Sequence, residues 1–140
     1  MRVLVDTCIW SLSLRRHAPD LNASETRVKN VFAELIREGR VVLIGPIRQE
    51  LLSGLRERAQ CEKLREKLRS FSDVPIQTSD FERAAAMSNH CSASGVANTD
   101  VDMMICSVAA ASNCTIFSTD RDFQLYSRVL PIRLFPLEGA

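Results

Sequence analysis

Four acidic residues stand where a fold of alternating strands and helices could bring their side chains together. Asp6 ends the apolar run that opens the chain, and Asp120 follows a later apolar run almost at once. Glu50 and Asp102 lie in segments with helical patterning, each next to such a run. Clustered carboxylates repel one another unless a cation lies between them, and the hard ions Mg²⁺ and Mn²⁺ prefer oxygen ligands. The pattern therefore predicts a divalent metal site.

Each acid also has an ordinary structural interpretation. Asp6 could cap the helix that begins near Cys8, Asp120 could cap its own helix, and Asp102 is a favourable charge in a first helical turn. For any one acid, the structural interpretation is better than a functional one. For the group it is worse, because the carboxylates would repel one another: the segment 100–122 holds Asp100, Asp102, Asp120 and Asp122 with Arg121 as its one basic residue.

Apolar patterning predicts the elements that position these acids. Strands are expected at 2–6, 40–44, 74–77, 114–118 and 132–135, and helices at 8–17, 24–38, 46–55, 60–69, 79–93, 101–112 and 120–128. Alternation of this kind predicts an α/β fold with a central parallel sheet covered by helices on both faces. Ligands of such sheets bind at the carboxyl ends of the strands, where the acids are expected.

Composition sets broad limits. The 140 residues carry a net charge of +1, so overall charge does not indicate a nucleic-acid partner. The five cysteines are odd in number and none stands at C-x-x-C spacing, which favours reduced thiols and a cytoplasmic protein over a disulfide framework. We found no leader-like segment, no run that could span a membrane, no repeat and no linker, and expect residues 1–140 to form a single domain.

Four stretches, taken in order, carry a family resemblance. They are Val5-Asp6-Thr7, Glu50-Leu51-Leu52-Ser53-Gly54, Asp102 to Ala109 and Ser118-Thr119-Asp120-Arg121-Asp122-Phe123. They resemble the signature blocks of PIN-domain nucleases, most of all the VapC-type toxins of bacterial toxin–antitoxin pairs. The third block is usually richer in alanine where this chain has Cys106 and Ser107. The resemblance implies a PIN-like three-layer fold and a metal-dependent endoribonuclease that hydrolyses RNA phosphodiester bonds.

The resemblance also implies roles for individual residues. Asp6 would be the central metal ligand, Asp102 and Asp120 would complete the shell, and Glu50 would bind a second ion or orient the attacking water. A supporting hydroxyl is expected from Ser118 or Thr119, with Thr7 as another candidate, and Asp100 and Asp122 are expected as outer acids. Since neither histidine belongs to these blocks, water activated by Mg²⁺ (or Mn²⁺) would be the nucleophile.

Partners follow from the same resemblance: an RNA substrate, a cognate antitoxin and a second copy of the chain. The basic residues that could hold RNA phosphates are concentrated in 46–70, where acids at helical spacing would equally well make a solvated face. The main alternative is a PIN-like scaffold that binds RNA or protein without efficient cutting. A haloacid-dehalogenase-like phosphatase needs a second aspartate where Cys8 stands, and a receiver domain needs an acid pair and a late lysine that this chain lacks.

Overall fold

A computed structural model describes residues 1–15 and 18–137 of the chain. The predicted end of the first helix, at His17, lies outside the described residues, as do the last three residues of the expected domain.

A parallel sheet of three short strands forms the centre of the fold. The strands are β1 (Val3–Val5), β2 (Val41–Val42) and β3 (Thr115–Phe117), in the order β2-β1-β3. All three residues of β1 are fully buried, as expected for a strand with both faces covered. The three strands run in the same direction, so their carboxyl ends meet at one edge.

Seven described helices surround this sheet. They are α1 (Thr7–Arg15), α2 (Ala23–Arg37), α3 (Gly45–Leu52), α4 (Arg58–Leu68), α5 (Thr78–Ala93), α6 (Asp100–Ala111) and α7 (Asp122–Val129), with a 3₁₀ turn at Ala18–Asp20. The predicted α/β architecture is confirmed. None of the described helices combines the length and the apolar character that crossing a bilayer requires.

Two of the predicted strands, 74–77 and 132–135, are wrong. Only isolated bridges form there: Asp73, just before the first run, pairs with Leu43, and Leu134, within the second, pairs with Ile116. The partner segments do not continue as strands, since helix α3 begins at Gly45, two residues after Leu43, and β3 ends at Phe117, one residue after Ile116. The sheet is therefore narrower than the apolar patterning predicted.

Helix boundaries depend on local hydrogen bonds that the patterning located to within a few residues. Helix α2 begins at a capping box in which Asn22 accepts from the backbone of Glu25 and the Glu25 carboxylate accepts in return. Gly39 follows the helix with φ of +68°, a conformation that favours glycine. Helix α5, expected to begin at residue 79, begins at Thr78, after a capping box formed by Gln77 and Asp80.

The core holds helix α1 and helix α6 against the sheet. Trp10 of α1 is 1% exposed and packs edge-on against the rings of Phe32 and Phe71, so it is a core residue and not a platform for bases. Residues 103–109 of α6 are all buried, including Cys106 and Ser107, whose small side chains suit this tightly enclosed helix. All five cysteines are free thiols, as predicted.

Candidate active site

The carboxyl ends of β1 and β3 bring Asp6 and Ser118 together. The backbone N–H of Asp6 donates to Phe117 O at 2.9 Å, which extends the strand pairing by one residue. The Ser118 hydroxyl then donates to Asp6 Oδ2 at 2.8 Å and accepts from the backbone N–H of Asp120 at 3.0 Å. One hydroxyl thus links the two strand ends that carry acids.

Asp6 is the most buried of these acids, at 8% exposed. Its Oδ1 accepts from the backbone N–H of Thr7 at 2.8 Å, and the Cys8 thiol lies 3.6 Å from its Oδ2. Burial raises the pKa of the Asp6 carboxyl, the hydrogen bonds oppose that rise, and the nearby charge of Asp120 adds to it. Asp6 therefore stands just before α1 and is held by the N–H group of Thr7, the first helical residue, while burial and the charge of Asp120 disfavour its ionised form.

Asp102 lies in the first turn of α6 and is fixed from two sides. The Thr99 hydroxyl accepts from its backbone N–H at 3.2 Å, while the Tyr126 hydroxyl donates to its Oδ2 at 2.7 Å. Partial burial raises the pKa of the Asp102 carboxyl, and the charges of Asp6 and Asp120 raise it further. This mutual effect places the three acids within electrostatic reach of one another.

Three carboxylates approach closely enough to share one ion. Oxygens of Asp102, Asp120 and Asp122 all lie within 4.8 Å of one another. The Asp120 Oδ1 also accepts from the backbone N–H of Asp122 at 2.9 Å, and this bond turns the chain into α7. Asp122, expected as an outer acid, is thus an exposed member of the acidic group.

One open cavity of about 760 Å³ collects these acids. Asp6, Asp102, Asp120 and Asp122 line it, and exposed Glu50 of α3 lines it as well. The remaining lining residues are Thr7, Cys8, Pro46, Gln49, Ser53, Thr99 and Val101. The structure thus brings together the four acids that were predicted to converge: Asp6, Glu50, Asp102 and Asp120 all line this one cavity.

Positive charge is absent from the cavity wall within the described part of the chain. No lysine or arginine lines it. The arginine ion pairs at described residues involve other acids, Glu34, Glu38, Glu62, Glu66, Asp73 and Asp80. Among the described residues, therefore, no cation compensates the acidic group, and carboxylate oxygens are the donor set that Mg²⁺ and Mn²⁺ prefer.

The expected supporting residues divide into two groups. Ser118 contacts Asp6 directly, and Thr7 does so through its backbone, while its buried hydroxyl has no hydrogen-bond partner. Thr119 is exposed, lies 3.4 Å from the Cys8 sulfur and lines a neighbouring cavity. Asp100 also lines a different cavity, beside Phe81 and Met104.

Sequence reasoning missed Tyr126 and Cys8 as neighbours of the acids. Tyr126 stands four residues after Asp122, one helical turn along α7, so the spacing could have placed both on one face. Cys8 stands two residues after Asp6, and nothing in the sequence indicated that its thiol would lie 3.6 Å from the Asp6 carboxylate.

Comparisons with known proteins agree with this architecture. The sequence model of the PIN domain matches residues 3–129. The fold is similar to that of a chain in the structure of VapBC2 from Rickettsia felis bound to a promoter DNA fragment, with a TM-score of 0.75 and 16% identity over 96% of this chain and 98% of that one. It is also similar to a chain of FitAcB from Neisseria gonorrhoeae, with a TM-score of 0.71 and 19% identity over 99% of both chains. DNA-bound VapBC from Salmonella typhimurium gives a TM-score of 0.72 at 14% identity over 98% of both chains. No curated protein matches the sequence.

Proposed function

The chain belongs to the PIN domain family, and from that premise we propose that it is a metal-dependent endoribonuclease that hydrolyses RNA phosphodiester bonds. One observation carries the proposal: Asp6, Glu50, Asp102 and Asp120 line a single open cavity that no described lysine or arginine enters. We treat residues 1–140 as one domain of this kind.

The residues that would hold the metal are the acids that line the cavity. We assign Asp6, Asp102, Asp120 and Glu50 to the metal centre and add Asp122, whose carboxylate lies within 4.8 Å of those of Asp102 and Asp120. The all-oxygen donor set favours Mg²⁺, with Mn²⁺ as a substitute. A bound divalent ion would offset the phosphate charge, activate the attacking water and stabilise the leaving oxygen.

The chain's own side chains supply rigidity and orientation. Asp6 is fixed by the Thr7 N–H and the Ser118 hydroxyl, so its carboxylate keeps one position while substrate enters and leaves. Glu50 is exposed on α3 and is free to orient a water or to meet a second ion. With Gln49 and Ser53 on the same wall, α3 offers groups that can hydrogen-bond the substrate beside the acids.

Phosphate binding needs cations near the cavity, and only some of the expected ones are free. Within the described residues Arg48 pairs with Asp73, and Arg65 and Arg69 pair with glutamates three residues earlier in the chain. The pairs of Arg65 and Arg69 support the solvated-face interpretation of the segment 46–70. Exposed basic residues with no ion pair to a described residue remain as candidates for RNA phosphates: Arg56, Arg58, Lys63 and Lys67.

The toxin role is a further part of the proposal. The similar structures are described as VapBC and FitAB complexes bound to DNA, and another is described as a toxin–antitoxin complex from Klebsiella pneumoniae. By analogy we propose a cognate antitoxin as partner, a homodimer as the assembly and the cytoplasm, where cellular RNA is present, as the place of action.

Metal dependence separates a nuclease from a non-cutting scaffold. Purified protein is incubated with mixed cellular RNA in Mg²⁺ or Mn²⁺, and in the same buffer with excess EDTA. We expect cleavage with either ion, none in EDTA, and recovery when the ion is restored, because the acids repel the phosphate until a cation offsets their charge. The Glu82→Gln variant, which removes an exposed carboxylate outside the cavity, is the control and should cut normally. RNA left intact in every condition would favour the scaffold, and cutting that persists in EDTA would contradict the mechanism.

A further inference from the structure

Tyr126 contacts the acidic group from behind the cavity wall. Its side chain is 1% exposed, and its hydroxyl donates to Asp102 Oδ2 at 2.7 Å. It does not line the cavity itself. Its ring packs edge-on against Phe123, with centroids 5.2 Å apart, so the phenol has little freedom to turn away. Within the described residues, Asp102 is the acceptor for the Tyr126 hydroxyl, and a buried donor that loses its acceptor destabilises the fold.

A phenol is well suited to a carboxylate that must remain available to a cation. It donates a hydrogen bond and brings no positive charge, whereas an arginine or lysine at the same place would compete with the metal. It occupies Oδ2, and a side-chain hydrogen bond with Thr99 also holds the Asp102 carboxylate. The carboxylate is thereby fixed in orientation, and because each of its oxygens can accept more than one bond, lone pairs remain for a cation.

We propose that Tyr126 is a positioning residue of the metal centre, whose hydroxyl orients the Asp102 carboxylate for a divalent cation. The inference rests on the proposed function. Groups that hydrogen-bond a metal-ligating side chain from outside generally affect metal affinity about 10- to 100-fold, because they fix the orientation of the ligand. Helix α7 then contributes twice, through the Asp122 carboxylate at its start and through the Tyr126 hydroxyl one turn later.

Isothermal titration of the whole chain with Mn²⁺ tests the proposal. We expect Tyr126→Phe, which keeps the ring and removes the hydroxyl, to weaken Mn²⁺ binding about 10- to 100-fold. The matched control is Ser127→Ala, which removes the neighbouring hydroxyl that donates to Gln124 O at 2.8 Å, and it should bind as the unchanged protein does. RNA cleavage by Tyr126→Phe should return to within a few-fold of normal when Mn²⁺ is raised to saturation.

The same titration with Asp102→Asn tests the proposed metal centre separately from the proposed role of Tyr126. Mn²⁺ binding that Asp102→Asn abolishes and Tyr126→Phe weakens supports both proposals. Binding that Asp102→Asn abolishes and Tyr126→Phe leaves unchanged overturns the role of Tyr126 and leaves the nuclease proposal standing. Binding that Asp102→Asn leaves unchanged overturns the metal centre, and the role of Tyr126 with it.

Discussion

The Asp102→Asn variant is expected to cut RNA about 10³-fold more slowly than the unchanged protein at the same Mn²⁺ concentration, which is the order of loss seen when one preorganised electrostatic group is removed from an active site. Asp102 is the acid that two helices fix, through Thr99 and Tyr126, and its carboxylate lies within 4.8 Å of those of Asp120 and Asp122. Asparagine keeps the size and one oxygen but loses the charge that would hold the ion. The loss is measured as the single-turnover rate on a labelled RNA.

Asp100 offers a close control for that result. It lies two residues earlier in the same first turn of α6, is exposed, and lines a neighbouring cavity. Asp100→Asn therefore removes the same charge from the same helical turn, and its cleavage rate should stay within a few-fold of normal. Equal losses of cleavage rate in Asp100→Asn and Asp102→Asn would mean that cleavage depends on the total negative charge of this helical turn and not on the proposed metal centre.

Asp6→Asn should lose RNA-cleaving activity to a similar extent. Its stability should also show whether the charge of Asp6 serves the metal site or the start of α1. Asparagine caps a helix about as well as aspartate, so the contact with the Thr7 N–H can persist. Because burial raises the pKa of Asp6, its ionised form costs stability in the metal-free protein, and asparagine removes that cost. We expect metal-free Asp6→Asn to unfold at the same or a higher temperature. A large fall in the unfolding temperature would show that the Asp6 charge stabilises the fold.

The Trp10→Ala variant should reduce the free energy of unfolding by about 3–5 kcal/mol. The ring is 1% exposed, packs against Phe32 and Phe71, and its indole N–H donates to Val5 O at 3.1 Å. Removing it leaves a cavity between helix α1 and the strand that ends at Asp6. Urea unfolding followed by circular dichroism measures the change.

Leu125→Ala is the control for that measurement, since Leu125 is a large apolar side chain that is 42% exposed. Its effect should stay close to 0.5 kcal/mol or below, as is usual for surface positions (about ±0.5 kcal/mol). If Trp10→Ala costs no more than Leu125→Ala, the ring does not anchor α1. The structural basis for the fixed position of Asp6 would then be wrong.

The order of strands and helices was predictable because it depends on patterns within single segments. Short apolar runs gave β1, β2 and β3, and the acids at their carboxyl ends followed from the geometry of parallel sheets. The failures at 74–77 and 132–135 have a cause outside those runs. Each partner segment ends close to its bridge, where α3 begins at Gly45 and where β3 ends at Phe117, and the apolar pattern of the runs themselves does not show this.

The finer arrangement of the site was not predictable, because it depends on how α6, α7 and α3 meet. Tyr126 resembles any core aromatic until its hydroxyl is found 2.7 Å from Asp102. Asp122 reaches the acidic group because α7 begins at Asp122, two residues later than the patterning suggested. Glu50 is exposed although its neighbour Leu51 is buried, since adjacent residues on a helix point to different sides.

Anomalous diffraction from crystals soaked in Mn²⁺ tests the central claim most directly. We predict a peak in the cavity, bounded by the carboxylates of Asp102, Asp120 and Asp122 with Asp6 close by. A lysine or arginine side chain occupying that place, or no peak at an ion concentration that supports RNA cleavage, would contradict the claim.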